Sequence, residues 1–388
     1  MDLLAKLELL SRETAYEPTE EVAPTGRRVM ELGRAQHLPG CIHHACTPRG
    51  HVTLLKGMVS NTCERNCLYC GVRAGRDFRR ATFSPDELAL TFDRLYHAGL
   101  AQGLFLSSGI LGGALRTQDQ IIAVGEILRQ KYLFTGYLHL KIMPGADAEQ
   151  IRRTMELADR VSINLEAPNG DRLAHLAPRK AFLEELVGPL RQVETIRQEL
   201  GGRPGPWGNV RRSGPSLTTQ FVVGPAGESD RELLRTTVYL MRTAGLARAY
   251  FSAFSPIPDT PLEDHPPESP ERERRLYQAS FLLRDYGFSV DDLAFDAQER
   301  LPLEADPKLA WARRHLAEAP LEINTASRRS LLRIPGIGPR LVERLLEARQ
   351  KGRLRDLADL RKLGVPAEKA APFVLLDGRR PARQLRLF

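Results

Sequence analysis

Three cysteines within eight residues constrain this chain more than any other feature of its sequence. Cys63, Cys67 and Cys70 are spaced C-x3-C-x2-C, so that one short loop can wrap around a single inorganic centre. Thiolates bind soft metal ions and iron–sulfur clusters. A cubane cluster needs four ligands and this loop supplies three, which leaves one iron open, as catalytic metal sites usually are. The spacing favours a cluster over a zinc site completed by a nearby histidine, or over three buried thiols.

A second group of cysteines and histidines precedes this loop. Cys41, His43, His44, Cys46 and His51 fall within eleven positions. They could bind another metal or take part in redox chemistry beside the cluster. They could equally be ordinary loop residues, because neither the C-x4-C spacing nor the histidine placement matches a standard zinc pattern.

The cysteine distribution also bears on the compartment. All five cysteines lie between residues 41 and 70, which is unlike a disulfide framework. The N-terminal segment has the pattern of an amphipathic helix and no signal-peptide core, and no run is apolar enough to span a membrane. We therefore expect a reducing cytoplasm and no membrane partner.

The net charge of +8 is concentrated at the C-terminal end. Residues 321–388 contain 16 Lys and Arg against 7 Asp and Glu, whereas the other 320 residues contain 40 against 41. Such a basic segment is typical of a nucleic-acid-binding module. A solubilising basic tail would have the same composition.

From Val52 onwards the sequence alternates strand-like and helix-like segments, the rhythm of β/α units around a parallel sheet. The strand-like segments are Val52–Ser60, Gly103–Ser108, Gly136–Ile142, Arg160–Glu166, Thr218–Val223 and Ala249–Phe254. Six units predict an α/β fold, a partial (β/α)6 TIM-like barrel. The cysteine loop follows the first strand, at the rim where such barrels place their chemistry.

Two of the strands alternate polar and apolar residues. Tyr137, His139 and Lys141 share one face of the third strand, and Ser162, Asn164 and Glu166 share one face of the fourth. If the apolar faces pack under helices, the polar faces point into the barrel and line a cavity for a charged cofactor and substrate. An internal hydrogen bond would explain any one of these residues equally well.

With Tyr69 directly before the third cysteine, the motif resembles the signature of the radical S-adenosylmethionine (radical SAM) superfamily, and residues 52–286 resemble its barrel. In that family S-adenosylmethionine chelates the open iron of a [4Fe–4S] cluster, and reduction yields a 5′-deoxyadenosyl radical. The resemblance implies both cofactors and an electron donor that the sequence does not identify. Nearly the whole chain is similar to the subfamily described as DNA modification or repair radical SAM proteins, which carry a C-terminal helix-hairpin-helix.

The resemblance also implies cofactor contacts. Ser107, Ser108 and Gly109 end the second strand, where the family has a small-residue turn, often Gly-Gly-Glu, that contacts the methionine amino group. Ser-Ser-Gly departs from that form, so the contact would come from backbone carbonyls or hydroxyls. Asn164 and Glu166 lie where the family places ribose or carboxylate contacts on the fourth strand.

Two further roles concern the fifth and sixth strands. Gly224 begins a turn that resembles the glycine-rich turn packing against adenine in the family. Tyr250, Cys41 or Cys46 could return a hydrogen atom to a substrate radical. The sequence does not choose among these three.

The segment 331–340 contains Ile-Pro-Gly-Ile-Gly-Pro and resembles the hairpin of the helix-hairpin-helix DNA-binding motif. Two glycines allow a sharp turn, and the following helix N-terminus can bind a phosphate oxygen without reading sequence. A degenerate second copy at 362–366 predicts a tandem pair. A hairpin used for protein contacts is the alternative. The predicted DNA-binding residues are Arg333, Gly336, Ile337, Gly338, Arg340 and Arg344.

The chain ends in a sequence that looks like the peptide by which bacterial proteins dock on the replication sliding clamp. Gln384 would form hydrogen bonds, while Leu385, Leu387 and Phe388 would fill an apolar groove. Packing of the Leu and Phe side chains against the neighbouring helices is an equally good interpretation.

The hypothesis is a radical SAM enzyme in which Cys63, Cys67 and Cys70 hold the cluster and the substrate is DNA. RNA modification and a non-catalytic, clamp-tethered iron–sulfur adaptor are the alternatives. The expected divisions are an N-terminal helix and Cys/His loop (1–50), the barrel (51–300), a connector (301–320), a small all-α helix-hairpin-helix domain (321–377) and a tail (378–388).

Overall fold

The computed structural model of the chain describes residues 2–13, 41–47, 50–200 and 214–381. The chain divides into two compact units. The first comprises Met1–Glu228 and Tyr239–Glu273, and the second comprises Ser229–Val238 and Arg274–Phe388.

The first unit is built on a seven-stranded sheet whose strand order follows the chain. Its strands are β1 (Ile42–Thr47), β2 (Gly50–Met58), β3 (Gly103–Ser107), β4 (Tyr137–Lys141), β5 (Arg160–Ser162), β6 (Ser216–Val223) and β7 (Leu246–Ala253). Strands β2 to β7 are parallel, which confirms the six predicted β/α strands. Among the described strands β1 and β7 are the edges, so the sheet is open, as a partial barrel requires.

Strand β1 was not predicted. The Cys/His segment was expected to be a loop, but Ile42 to Thr47 pair antiparallel with β2, from Ile42 opposite Leu55 to Thr47 opposite Gly50. The correction has a simple physical origin. The edge of β2 would otherwise present unpaired backbone groups, and a short hairpin satisfies them.

Helices precede, connect and follow the parallel strands, as the alternation of strand-like and helix-like segments predicts. They are α1 (Leu3–Glu13), α2 (Pro85–His97), α3 (Ala114–Glu126, continued by a π-helical turn Ile127–Lys131), α4 (Ala148–Leu157), α5 (Gly170–Ala174), a π-helical turn Phe182–Val187, α6 (Gly188–Leu200), α7 (Asp230–Thr243) and α8 (Pro270–Asp285). Helix α2 begins with a capping box, in which Ser84 and Glu87 exchange side-chain-to-backbone hydrogen bonds. These local signals fix where the helices begin.

The strands separate an apolar face from a polar one. Leu104, Leu106, Leu138, Leu140 and Val161 are fully buried on one side of the sheet. The alternate positions, among them His139, Lys141 and Ser162, are also buried but polar. The predicted alternation is therefore confirmed, and the polar side chains share one face of the sheet.

The second unit is mostly helical beyond residue 300, but this region is not all-α as expected, because Leu321–Glu322 and Val374–Leu375 pair there as two short parallel strands. Its elements are a 3-10 turn Val290–Asp292, α9 (Pro307–His315), β8 (Leu321–Glu322), α10 (Arg328–Leu331), α11 (Pro339–Lys351), α12 (Leu357–Lys362), α13 (Ala367–Ala370), a 3-10 turn Ala371–Phe373 and β9 (Val374–Leu375). Residues 274–300, expected within the barrel, group with this unit. Among the helices of the described part, none has the length and apolar character needed to span a membrane.

Candidate functional site

A cavity of about 150 Å³ lies at the carboxyl ends of the parallel strands and is lined by the cysteine loop. Cys63, Cys67, Cys70 and Tyr69 all contribute to its wall. The wall also includes four residues for which cofactor contacts were predicted: Ser108, Gly109, Asn164 and Glu166. The fold thus brings together residues that lie up to a hundred positions apart in the sequence.

The three thiols are partly withdrawn from solvent. Burial raises the pKa of Cys67 and raises that of Cys70 to about 12, and the charges of the neighbouring thiols act in the same direction. The sulfur of Cys63 accepts hydrogen bonds from the backbone N–H groups of Arg65 and Ile110, each at 3.4 Å. Backbone N–H groups directed at sulfur are typical of iron–sulfur sites.

Three thiols bordering one cavity fit a [4Fe–4S] cluster with an open iron, because the cavity provides space for a further ligand beside the cysteine loop. No group of three or more His, Cys, Asp or Glu side chains in the described part surrounds a single metal-ion position. Cys41, from the earlier Cys/His group, is buried and forms no disulfide with another described cysteine.

The cysteine loop is held in place by the chain segment after β5. The Arg65 guanidinium lies 2.5 Å from the Glu185 carboxylate and 2.7 Å from the Arg179 carbonyl oxygen. The backbone N–H of Leu68 donates to the Leu176 carbonyl at 2.7 Å. Contacts from both ends of the loop restrict its conformation before any ligand binds.

Gly109 is needed where β3 ends against this loop. A Cβ atom at this position would lie 2.4 Å from the Thr62 carbonyl oxygen and 3.1 Å from the Cys63 Cβ. The Gly109 N–H donates to the Ser60 carbonyl at 2.7 Å. Any side chain would push the first cysteine out of position, so the departure from Gly-Gly-Glu still keeps the glycine that the geometry requires.

Glu166 and Lys180 form a buried ion pair in the cavity wall. The Lys180 ammonium lies 3.1 Å from Glu166 Oε1, and both side chains are less than a tenth exposed. Burial alone would lower the pKa of Lys180, but Glu166 and the neighbouring sulfurs outweigh it and raise the pKa above its ordinary value. Glu166 also has φ of +66°, a strained conformation for a non-glycine residue.

Tyr69 is tied to the same pair. Burial, and after it the Glu166 carboxylate, raises the pKa of Tyr69 well above its ordinary value, and its hydroxyl is hydrogen-bonded to Glu166. Tyr69 is therefore a neutral phenol at physiological pH. This hydrogen bond positions the last turn of the cysteine loop against the segment that follows β5.

A smaller inner cavity of about 10 Å³ lies in the polar face of the sheet. Tyr250, predicted as a hydrogen-atom donor, lines this inner cavity and is not among the residues that line the cysteine cavity. Its hydroxyl lies 3.3 Å from an Arg160 nitrogen. Burial lowers the pKa of His139 well below its ordinary value, so this ring is neutral beside Ser162, at 2.9 Å.

Ser107 and Gly224, two of the predicted cofactor contacts, are not among the residues lining the cysteine cavity. Gly224 has φ of +115°, and its N–H donates to Glu228 Oε1 at 2.6 Å. Arg272, which is 2% exposed, joins Glu228 to Glu268. Gly224 therefore serves a turn held by buried charges, and the structure gives no support to its assignment as an adenine contact.

Sequence reasoning missed Arg65, Lys180 and Gln220 as wall residues of the cysteine cavity. Gln220 could have been found, because it continues the alternation along β6. Lys180 and Arg65 follow no local pattern, since their roles depend on partners 14 and 120 positions away.

The C-terminal segment forms two helix–turn–helix pairs. In the first, Gly336 has φ of +83° and Pro339 is the first residue of α11. In the second, Gly364 has φ of +81° in the turn between α12 and α13. The two turns are in contact, because a Cβ atom on Gly336 would lie 2.5 Å from Pro366.

Arg333 does not fit the predicted role of DNA contact. Its guanidinium forms two hydrogen bonds with Asp292, at 3.0 and 3.1 Å, and lies over the rings of Phe288 and Trp311. Burial alone would raise the pKa of Asp292, but Arg333 and Ser289 together lower it to about 2. Arg333 anchors the hairpin, whereas Arg340 and Arg344 are exposed on α11.

Lys308 lies beneath the turn of the first hairpin, the turn that contains Gly336 and Ile337. Its ammonium donates to the Ile337 carbonyl at 2.5 Å and lies 4.7 Å from the centre of the Tyr286 ring. Burial lowers the pKa of Lys308 to about 7, with Asp306 opposing weakly. The turn thus rests on an amine that titrates near neutral pH.

No protein-family model matches the chain. Among solved structures it is similar to the FeFe-hydrogenase maturase HydG from Carboxydothermus hydrogenoformans, at 14% identity and a TM-score of 0.45, over 59% of this chain and 51% of that one. It is also similar to methylornithine synthase PylB, at 13% identity and a TM-score of 0.46, over 73% and 76% of the two chains.

A third likeness is to the radical S-adenosylmethionine methyltransferase TsrM from Kitasatospora setae, at 13% identity and a TM-score of 0.40, over 59% and 49% of the chains. The matched region spans about half the length of the HydG and TsrM structures. At these scores the likenesses carry no argument about what this chain does, so its function is argued from its own residues.

Predictions for two parts of the sequence, the Cys/His group before the cluster motif and the C-terminal clamp-binding sequence, rest on residues that the structure does not fully describe. The side chains of His44, Cys46 and His51 are not described, and neither is the segment 382–388 that contains the clamp-binding sequence. These remain predictions.

Replacing Lys180 by methionine is expected to lower the free energy of unfolding by about 3–5 kcal/mol, because it leaves the Glu166 carboxylate buried without its partner. The double variant Glu166→Gln/Lys180→Met removes both charges and should recover most of the loss. Urea unfolding followed by circular dichroism measures both. Lys131→Met, which breaks an exposed pair with Asp86, is the matched control and should cost less than about 1 kcal/mol. Equal losses for Lys180→Met and Lys131→Met would contradict the buried-pair interpretation.

Stability should rise with pH between about 7 and 10, the window between the folded pKa of Lys308 and its ordinary value. In that range the unfolded chain binds the proton and the folded chain does not, so increasing pH favours the folded state. The Lys308→Met variant removes this difference. Unfolding free energies of the two proteins, measured at several pH values, should therefore diverge in favour of wild type as pH increases. Parallel curves would show that Lys308 stays charged in the fold.

Proposed function

We propose that this chain is a radical SAM enzyme in which Cys63, Cys67 and Cys70 hold a [4Fe–4S] cluster, and that its substrate is a nucleic acid, DNA. The observation that carries the proposal is the convergence of the three cysteines and the polar ends of four parallel strands on one cavity. A structural iron–sulfur site does not require such an adjoining space. A catalytic one does, because a second ligand must reach the open iron.

The chain's own residues have distinct roles in this proposal. When bound, the cluster would supply an electron to S-adenosylmethionine, whose cleavage yields the 5′-deoxyadenosyl radical. Ser108 and Gly109 offer hydroxyl and backbone groups at the rim. The Asn164 amide donates a hydrogen bond to Gln220 Oε1 at 3.2 Å, and both side chains line the cavity. Ribose hydroxyls would bind beside these two side chains. The Glu166–Lys180 pair fixes the floor of the cysteine loop and helps to exclude water.

The second unit supports the choice of DNA. Arg340 and Arg344 are exposed on α11, and Gly338 at its N-cap offers no side-chain hydrogen bond to the first turn. Pro339 has no N–H and the Leu341 N–H donates to the Gly338 carbonyl at 3.0 Å, so a phosphate oxygen would be bound by the Arg340 N–H and by the guanidinium groups of Arg340 and Arg344. Such contacts hold DNA without reading its sequence.

Tethering the substrate suits the enclosed cavity. A base or sugar inside a duplex must leave the stack to reach a barrel interior, which costs a few kcal/mol. A DNA-binding module in the same chain raises the local concentration of substrate and offsets part of that cost. The proposal therefore gives each unit a separate task, positioning for the second and chemistry for the first.

The first test is anaerobic reconstitution with iron and sulfide. Wild type should bind about four iron atoms per chain and, with dithionite, convert S-adenosylmethionine to 5′-deoxyadenosine. Cys63→Ala, Cys67→Ala and Cys70→Ala should each lose the cluster and the product, because no fourth ligand compensates. Cys41→Ala, which removes a buried thiol outside the loop, should keep both. A fully loaded wild-type protein that makes no 5′-deoxyadenosine would refute the enzyme proposal and favour an adaptor.

The second test concerns DNA. The double variant Arg340→Gln/Arg344→Gln should bind duplex DNA more weakly at every sequence, and its salt dependence should fall by about two phosphate contacts. Arg313→Gln/Arg314→Gln, which removes two exposed arginines from α9, is the matched control and should retain the affinity. Fluorescence anisotropy over a salt series, with duplex RNA as competitor, measures this. Preferential binding of RNA would replace DNA as the substrate class.

A further inference from the structure

Five polar side chains form one layer across the polar face of the sheet. Lys141, Ser162, Thr218 and Arg248 are consecutive register partners on β4 to β7. Ser107 extends the row to β3, because it follows Leu106, whose partner Leu140 precedes Lys141. All five are less than a tenth exposed.

Two hydroxyls of this layer have no hydrogen-bond partner within the described part of the chain. Ser107 Oγ and Thr218 Oγ1 are both buried and unsatisfied. A buried hydroxyl without a partner costs about 1–3 kcal/mol, and such groups are rare in folded proteins. Thr218 lies between Ser162 and Arg248 in this row and lines the inner cavity, so its hydroxyl indicates a site that awaits a hydrogen-bond acceptor. Ser107 lies at the β3 end of the row and lines neither cavity.

The charge of the surrounding positions is one-sided. On β2 to β7 the positions that share this face contain four cationic side chains and no carboxylate. The cationic residues are Lys56, Lys141, Arg160 and Arg248. Glu166, which follows β5, is already paired with Lys180. An anion would be stabilised by this field, because buried charge is tolerated when it is paired and hydrogen-bonded.

The layer can be reached from the cysteine cavity. Lys141, Asn164 and Gln220 line both that cavity and the inner one, and Thr218 lines the inner one. The inner cavity, at about 10 Å³, has room for about one oxygen atom. A tetrahedral anion would therefore place one oxygen among the hydroxyls and keep its remainder in the larger cavity.

We propose that Lys141, Ser162 and Thr218, the members of this layer that line the inner cavity, bind a phosphate group of the substrate. The inference rests on the proposed function for the identity of the phosphate, which is that of the nucleotide presented to the radical. It makes the substrate a nucleotide held by its phosphate inside the barrel. The bases and sugars of different nucleotides would be accepted equally by this contact.

Calorimetric titration of the cluster-loaded chain without reductant tests the proposal. Thymidine 5′-monophosphate and inorganic phosphate should bind with or without S-adenosylmethionine, whereas thymidine should not. Thr218→Val should weaken phosphate binding by about tenfold or more, since a hydrogen bond to a charged group is lost. Ser107→Ala removes the other unsatisfied hydroxyl, which lines neither cavity, and should leave phosphate affinity unchanged. Both variants should fold, because neither hydroxyl has a partner to lose.

Two control variants distinguish the layer from buried hydroxyls in general and from the basic surface of the second unit. Thr91→Val removes a buried hydroxyl that donates to the Glu87 carbonyl on α2, and phosphate affinity should not change. Arg340→Gln/Arg344→Gln removes the exposed cations of α11, and the Thr218→Val effect should persist in that background. Lys141→Met should abolish phosphate binding if it folds.

Three results would overturn the inference. Wild-type phosphate affinity in Thr218→Val would mean that its hydroxyl holds only buried water. Loss of phosphate binding on adding S-adenosylmethionine would assign the layer to the cofactor's carboxylate. Binding of acetate in place of phosphate would assign it to a carboxylate substrate. None of these measurements uses radical formation, so failure of the enzyme proposal would be seen separately, as absent 5′-deoxyadenosine.

Discussion

The pairing of the six parallel strands is the constraint on which the rest of this structure depends. Because side chains alternate along a strand, the pairing from β2 to β7, with one register shift at Leu217 and Thr218, places the apolar residues of one parity under the helices. The other parity gathers lysine, arginine, histidine and hydroxyl groups on one face. A strand that slipped by one residue would turn its side chains away from the cysteine cavity or from the polar layer.

The buried charges around the cysteine loop are explained by the same geometry. Glu166 ends the β5 segment in a strained conformation, and its carboxylate meets Lys180 and Tyr69. Strain and a desolvated ion pair both oppose folding when considered alone. They are stable here because the loop has few alternatives, with Arg65 and Leu68 tied to the following segment. The strain and the buried ion pair lower the local stability, but the contacts they form hold the three thiols in a fixed position.

Much of the fold could be predicted because its signals are local. Strand alternation involves residues within a few positions of one another, and the six parallel strands were found where they were expected. Strand β1 could not be predicted, since Cys41 to Cys46 has no alternation and forms a strand only by pairing with β2. The ion pair of Arg333 could not be predicted for a similar reason, because its partner Asp292 lies 41 positions away. A cation in a basic segment is indistinguishable from a phosphate contact until its partner is known.

The contact between Gly336 and Pro366 has a consequence for the dynamics of the second unit. A Cβ atom at position 336 would lie 2.5 Å from the Pro366 ring, so the two turns pack too closely to admit a side chain there. Two hairpins that look like separate repeats in the sequence therefore share a packing contact, and we expect their opening to be coupled. Backbone amides of both turns should become accessible to solvent together, on one timescale.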